Sequence, residues 1–103
     1  MKSIEVDDLN MRLKTNDIQL LDVREAYELE IAKIKNCLHI PMMDVPNRVV
    51  ELNKEKDIAV ICHSGIRSSQ VCVFLKQKGF SVYNVLGGID MWSEKIDPSI
   101  KKY

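Results

Sequence analysis

The chemistry this chain can do is concentrated in Cys62-His63-Ser64-Gly65-Ile66-Arg67-Ser68. A thiol opens the stretch, a glycine sits inside it and a guanidinium stands near its end. The apolar run Ile58 to Ile61 precedes it and helical spacing follows it. A buried strand is therefore expected to empty into a tight loop, and the loop into a helix. If the loop curls, successive backbone N–H groups point inward and the helix adds its positive end. That setting stabilises an anion and lowers a thiol pKa. Gly65 permits backbone angles that other residues resist, and Arg67 adds a fixed positive charge. No separate general base is required, because an amide-lined loop favours thiolate directly. His63 follows the cysteine, so its side chain points away from the sulfur and is expected to line the mouth of the site. Cys37, in a short apolar segment, and Cys72, inside the following helix, lack this setting and read as packed thiols.

The elements that must position this loop alternate along the chain. Short strands are expected at Ile4-Glu5-Val6, Ile18 to Val23, Cys37 to Ile40, Ile58 to Ile61 and Val82 to Leu86. Between them lie helical patterns. One, capped by Asp7 or Asp8, carries Leu9, Met11 and Leu13; another runs from Glu25 to Ile31. A third is capped by Asp44 with Pro46 in its first turn. A fourth begins at Ser68 or Ser69 and ends before Gly79, and a short fifth surrounds Trp92 from Ile89 to Ile96. The tail from Pro98 is polar and expected to fray. Strand–helix alternation implies an α/β fold with a central, mostly parallel sheet of about five strands and helices on both faces. Ile58 to Ile61, the most apolar strand, belongs at its centre. In such folds ligands bind outside the carboxyl ends of strands. Cys62 and Asp22-Val23-Arg24 both fall at such ends, so one mouth can contain them.

The 103 residues suit a single domain, here taken as 1–103. Fifteen basic and fifteen acidic residues balance, so the net charge argues for neither nucleic acid nor a membrane surface. No apolar run is long enough to span a bilayer, and the start lacks the apolar core of a signal peptide. Three cysteines without a CxxC pair suggest neither a disulfide framework nor a metal site. A cytoplasmic protein in a reducing compartment is the expectation.

Three stretches, in order, resemble the signatures of the rhodanese family of sulfurtransferases. CHSGIRS resembles its active-site loop. LLDVREAYELEIAKIKNCLHIP resembles its first signature, and VLGGIDMW followed by Asp97-Pro98 its last. Together they span essentially the whole chain. Lys33 stands where the family commonly has histidine, and Ala32 where it has glycine. The resemblance implies a small α/β domain without a cofactor or metal. It also implies a sulfurtransferase in which Cys62 takes a sulfane sulfur from a donor such as thiosulfate. The resulting persulfide would pass it to cyanide, a small thiol or a thioredoxin-like protein. The loop residues His63, Ser64, Gly65, Ile66, Arg67 and Ser68 would hold the sulfur's charge. Asp22 and Arg24 would be scaffold, and the protein a monomer.

Three other readings compete. Cysteine phosphatases also combine a cysteine, an amide-lined loop and an arginine, but place five residues between the two. Here only His63, Ser64, Gly65 and Ile66 intervene. A persulfide carrier or a rhodanese-like binding module serving a protein partner are the others, and retention of Cys62 argues against the module. Arg67 has two roles open to it. It can bind an anionic donor, which its place in the same short loop as Cys62 favours, or brace the loop through Asp22 or another acid.

Overall fold

Alternation along the strands decides how the chain is layered. In the computed structural model, which describes residues 1–103, Ile58, Val60 and Cys62 enter one buried cluster while Ala59 and Ile61 enter another. Leu21 and Val23 divide from Ile18 and Leu20 in the same way. Successive side chains on a strand face opposite sides, so a strand apolar at every position must be covered twice.

The strands are β1 (Ser3–Ile4), β2 (Ile18–Asp22), β3 (Leu38–His39), β4 (Asp57–Ile61) and β5 (Val82–Val85). All pair in parallel, in the order β1-β5-β4-β2-β3. The helices are α1 (Val6–Lys14), α2 (Ala26–Ile31), α3 (Val45–Arg48), α4 (Ile66–Gln77) and α5 (Gly88–Lys95). Residues from α3 and α4 (Val45, Val71, Cys72, Leu75) cover one face, and residues from α1 and α5 (Val6, Leu9, Ile89, Trp92) the other. The expected α/β architecture, with β4 at its centre, is the one found. From β2 the chain steps outward to β3, then reverses, passing β2 to reach β4 and continuing in that direction to β5. The reversal puts the carboxyl ends of β2 and β4 side by side, and doubly wound sheets form their crevices at such a point.

Several boundaries differ from those expected. β1 ends at Ile4, because Val6 joins Leu9 on the buried face of α1; Glu5, not Asp7 or Asp8, is the residue before the helix. β3 is confined to Leu38–His39. The segment after Pro41 is not one helix. α3 is flanked by 3₁₀ turns at Met42–Asp44 and Val49–Glu51, and Arg48 leaves helical angles at φ −128°, ψ 17°. Arg48 then pairs with Glu51 at 2.6 Å, three residues on, the spacing that eclipses in a 3₁₀ turn. α4 starts at Ile66, earlier than expected, because Gly65 makes the whole turn at φ +120°. Arg67 and Ser68 therefore lie in its first turn. The tail is anchored and not frayed: the Ser93 hydroxyl donates to the Ile100 carbonyl, and Tyr103 packs inward.

The Gly87-Gly88 turn begins α5 directly beneath the Cys62 loop. Ile89 N–H donates to the Cys62 carbonyl at 2.9 Å, and Asp90 N–H to the His63 carbonyl at 3.4 Å. A Cβ on Gly88 would stand 2.5 Å from the Cys62 carbonyl oxygen and 2.4 Å from that of His63, at a φ of +58°. Backbone cannot swing aside as a side chain can. Gly88→Ala is expected to lower the urea midpoint markedly, by about 2 kcal/mol or more of stability, and to disturb Cys62. Unchanged midpoint and unchanged Cys62 reactivity would show that the turn relaxes freely.

Candidate active site

Cys62 continues β4 by one residue, and strand parity turns its side chain toward α4. Only 1% of the residue is exposed. Burial alone raises a thiol pKa, because the anion loses its water. That penalty is the largest single influence on Cys62, yet the net shift is downward. Hydrogen bonds from the Ser68 side chain and from the backbone of Ser68, Gly65 and Ser64 outweigh it. Gly65 N–H lies 3.1 Å from Sγ and the Ser68 hydroxyl 3.3 Å. Cys72 lacks such donors, and burial pushes its thiol up to about 12. Burial likewise raises Cys37. Three cysteines share one fold, and only one is set up to ionise.

Ser68 and Gly65 are themselves held by Asn84. Parity on β5 places Asn84 on the same face as Val82, toward α4. Its amide donates to the Gly65 carbonyl at 3.2 Å, and its oxygen accepts from the Ser68 hydroxyl. A hydroxyl has one hydrogen, so Ser68 cannot donate to Asn84 and to the sulfur at once. As a thiol, Cys62 can donate to Ser68 while Ser68 donates to Asn84. As a thiolate, its dependable donors are the backbone amides.

The remaining loop residues take different places. Ser64 and Ile66 are exposed, Ile66 at 72%, so their side chains face outward and their backbone serves the loop. His63 points away from the sulfur as expected. Its Nε2 lies 3.1 Å from Asp90 Oδ1, and its ring stacks on Tyr103 at 4.0 Å and 15°. Arg67 makes the brace. Its Nη1 and Nη2 donate to the two oxygens of Glu28 at 2.7 and 2.8 Å, a bidentate fork that leaves no cation free over Cys62. Its partner is not Asp22, because Asp22 is consumed by Arg24. Arg24 is fully buried and donates to both Asp22 oxygens, to the Ala32 carbonyl at 2.7 Å and to Tyr103 at 2.8 Å. Asp22 and Arg24 thus stiffen the neighbouring loop and do not reach the sulfur. His39 holds that loop too, with Nε2 at 2.6 Å from the Arg24 carbonyl oxygen. No three His, Cys, Asp or Glu side chains converge to hold a metal.

Glu28, Asn84 and Tyr103 are the participants that sequence reasoning missed. Glu28 carried a local signal: with Glu25 it closes a capping box at the start of α2, Glu25 N–H donating to Oε2 at 2.8 Å. The same bond fixes the carboxylate that Arg67 grips. Asn84 is a polar residue between Tyr83 and Val85 near the carboxyl end of a strand, a place where a polar side chain needs a partner.

Arg67 holds the Glu28 carboxyl far below the usual range, at about 2, against burial that would raise it. A depressed carboxylate contributes stability that is fully present above its unfolded value of 4.5 and lost as pH falls through about 2. Glu28→Gln is expected to cost about 2 kcal/mol at neutral pH, after allowing for the solvent around Arg67. The gap between native and variant urea midpoints should narrow between pH 4.5 and 2. A gap that stays constant across that window would show that the carboxylate's charge contributes nothing.

Known proteins carry the same pattern. The profile of the Rhodanese-like domain matches residues 5–95. Rhodanese-like/PpiC domain-containing protein 12, chloroplastic, of Arabidopsis thaliana is 40% identical over 112 residues; it matches 100% of this chain, which spans 38% of that protein. Putative sulfurtransferase YtwF of Bacillus subtilis is 35% identical, over 95% of this chain and 96% of its own length. The crystal structure of a rhodanese-related protein from Thermoplasma volcanium superposes with a TM-score of 0.87 at 36% identity, covering 93% of this chain and 94% of that one. Ordered motifs, a five-stranded parallel sheet and these matches agree: the chain belongs to the rhodanese-like domain family.

Proposed function

We propose that the protein is a sulfurtransferase that carries a sulfane sulfur on Cys62. The observation that carries this reading is the set of backbone amides converging on a buried Sγ in a loop with only four residues between cysteine and arginine. Such a cradle suits a single anionic sulfur. A tetrahedral phosphate needs a wider ring of donors, so phosphatase chemistry is disfavoured. The relative named as a putative sulfurtransferase, matched over nearly its whole length, supports the same class.

The chemistry balances without a base or a cofactor. Cys62 thiolate attacks the outer sulfur of a donor such as thiosulfate. The donor's S–S bond breaks, and sulfite leaves with the electron pair. Cys62 now bears a persulfide whose terminal sulfur is the anion. An acceptor thiolate, or cyanide, attacks that terminal sulfur; the new bond forms as the Cys62 S–S bond breaks, and the thiolate returns. Each half is nucleophilic catalysis through a covalent intermediate. The amides that stabilise thiolate are placed to hold the persulfide's charge as well, as donors do in an oxyanion site. Because Glu28 neutralises Arg67, donor recognition falls to the amides and the helix end rather than to a free cation. A small thiol or a thioredoxin-like protein is the proposed acceptor class, and a reducing cytoplasm the proposed setting. A role as a persulfide carrier for a partner uses the same first half-reaction.

Incubation with thiosulfate, followed by intact-mass measurement, is expected to add one sulfur to the wild type, removed again by cyanide. Cys62→Ser should gain none, since a hydroxyl cannot form a persulfide. Cys37→Ser and Cys72→Ser should load as the wild type does. Sulfur uptake by Cys62→Ser would remove Cys62 from the reaction. Absence of uptake by the wild type from thiosulfate and from a small-molecule persulfide would overturn the sulfurtransferase reading.

A further inference from the structure

Tyr103 lies beyond the residues that the family profile matches, yet it reaches the support of the active-site loop from two directions. Its hydroxyl accepts from Arg24 Nη1 at 2.8 Å and donates to Glu28 Oε1 at 3.0 Å. Its ring lies flat on His63 at 4.0 Å. His63 directly follows Cys62, and Glu28 grips Arg67 at the loop's other end. One phenol therefore holds the six-residue loop at both ends, directly through His63 and indirectly through Arg67.

The polar groups are fully used. Glu28 Oε1 accepts from Arg67 and Tyr103, and Oε2 from Arg67 and the Glu25 N–H. Burial keeps the phenol protonated by raising its pKa, so it remains a donor to Glu28. A residue present only to pack the tail would need the ring. It would not need a hydroxyl set between a buried guanidinium and the carboxylate that braces the loop. Buried polar networks rigidify what they join when every member is satisfied.

We propose that Tyr103 is a positioning residue for Cys62, fixing the loop at His63 and, through Glu28, at Arg67 so that the amides of Ser64, Gly65 and Ser68 stay converged on the sulfur. It touches neither Cys62 nor the transferred sulfur. Its contribution is to the direction of the donors, and small misplacements of preorganised donors lose much of their effect.

The test compares wild type, Tyr103→Phe and Tyr103→Leu in two assays. The first follows Cys62 alkylation by iodoacetamide across pH, with the labelled peptide quantified by mass spectrometry. It needs no sulfur donor, so it stands whether or not the sulfurtransferase reading does; the second assay, thiosulfate-to-thiol turnover, rests on that reading. Phenylalanine keeps the stack and loses the hydroxyl, whereas leucine loses both. The alkylation midpoint should move up in both variants. The thiolate population below the midpoint should drop about threefold in Tyr103→Phe and about tenfold in Tyr103→Leu, a tenfold drop being one unit of pH. In turnover, kcat should fall with little change in donor KM, because the loosened groups stabilise the sulfur anion and do not bind the donor.

A lower melting temperature with an unchanged alkylation midpoint and unchanged kcat would overturn the proposal and leave Tyr103 a packing residue. So would wild-type behaviour in both assays. If Tyr103→Leu fails to fold, Tyr103→Phe decides alone, since it removes one atom from a retained ring. A shifted midpoint in a protein that accepts no sulfur would support the positioning role while retiring the sulfurtransferase reading.

Discussion

A sulfur almost wholly shielded from water, yet with its pKa drawn downward, is the constraint on which the rest of this structure depends. Burial alone would drive Cys62 toward the neutral thiol, as it does Cys72 one helix turn beyond Ser68. Only donors aimed at Sγ reverse the sign: the Ser68 hydroxyl and the backbone of Ser68, Gly65 and Ser64. Amides are available as donors there because Ser64 and Gly65 lie outside strand and helix, and Ser68 lies in the first turn of α4, where N–H groups have no intrahelical partner. They converge because Gly65 takes a positive φ, which a side chain would oppose. Each feature of the fold near the site acts on that convergence.

Three supports meet at the loop. From below, α5 packs its glycine turn against the carbonyls of Cys62 and His63. From the β5 side, Asn84 ties the Gly65 carbonyl and the Ser68 hydroxyl. From the β2 side, Glu28 receives Arg67 in a bidentate pair. Beneath that last support lies the fully buried Asp22–Arg24 pair. A buried ion pair is weak evidence of net stability, but removing one partner leaves an uncompensated charge. Arg24 fits this view, since it spends its guanidinium on Asp22, the Ala32 carbonyl and Tyr103 and so fixes the relative positions of β2, α2 and the tail.

The parts of this arrangement that local pattern can encode were legible in the sequence. Apolar runs bounded by turns located the strands, strand–helix alternation implied the parallel sheet, and CHSGIRS marked the loop. The placement of Cys62 and Asp22-Arg24 at adjacent carboxyl ends followed from the same alternation. Pairings between distant segments were not legible. Glu28 is one of several acids around α2, and its capping box with Glu25 sets it apart locally without naming Arg67 as its partner. Tyr103 sits in a polar tail whose composition suggested fraying, because composition does not reveal two long-range hydrogen bonds and a stacked ring. Helix starts shifted for a physical reason too: a glycine at positive φ turned the chain sooner than a serine cap would have.

Cys62, though buried, is the most acidic of the three thiols, because hydrogen-bond donors converge on its sulfur while burial raises Cys37 and Cys72. Thiolate absorbance in the ultraviolet measures this directly when followed across pH in the Cys37→Ser/Cys72→Ser double variant, with Cys62→Ser as the blank. The prediction is one ionisation step below the ordinary thiol range, retained when Ser68 is replaced by alanine because the backbone donors remain. A single step at or above that range would contradict the claim, since it would mean that desolvation, and not the cradle, controls the sulfur.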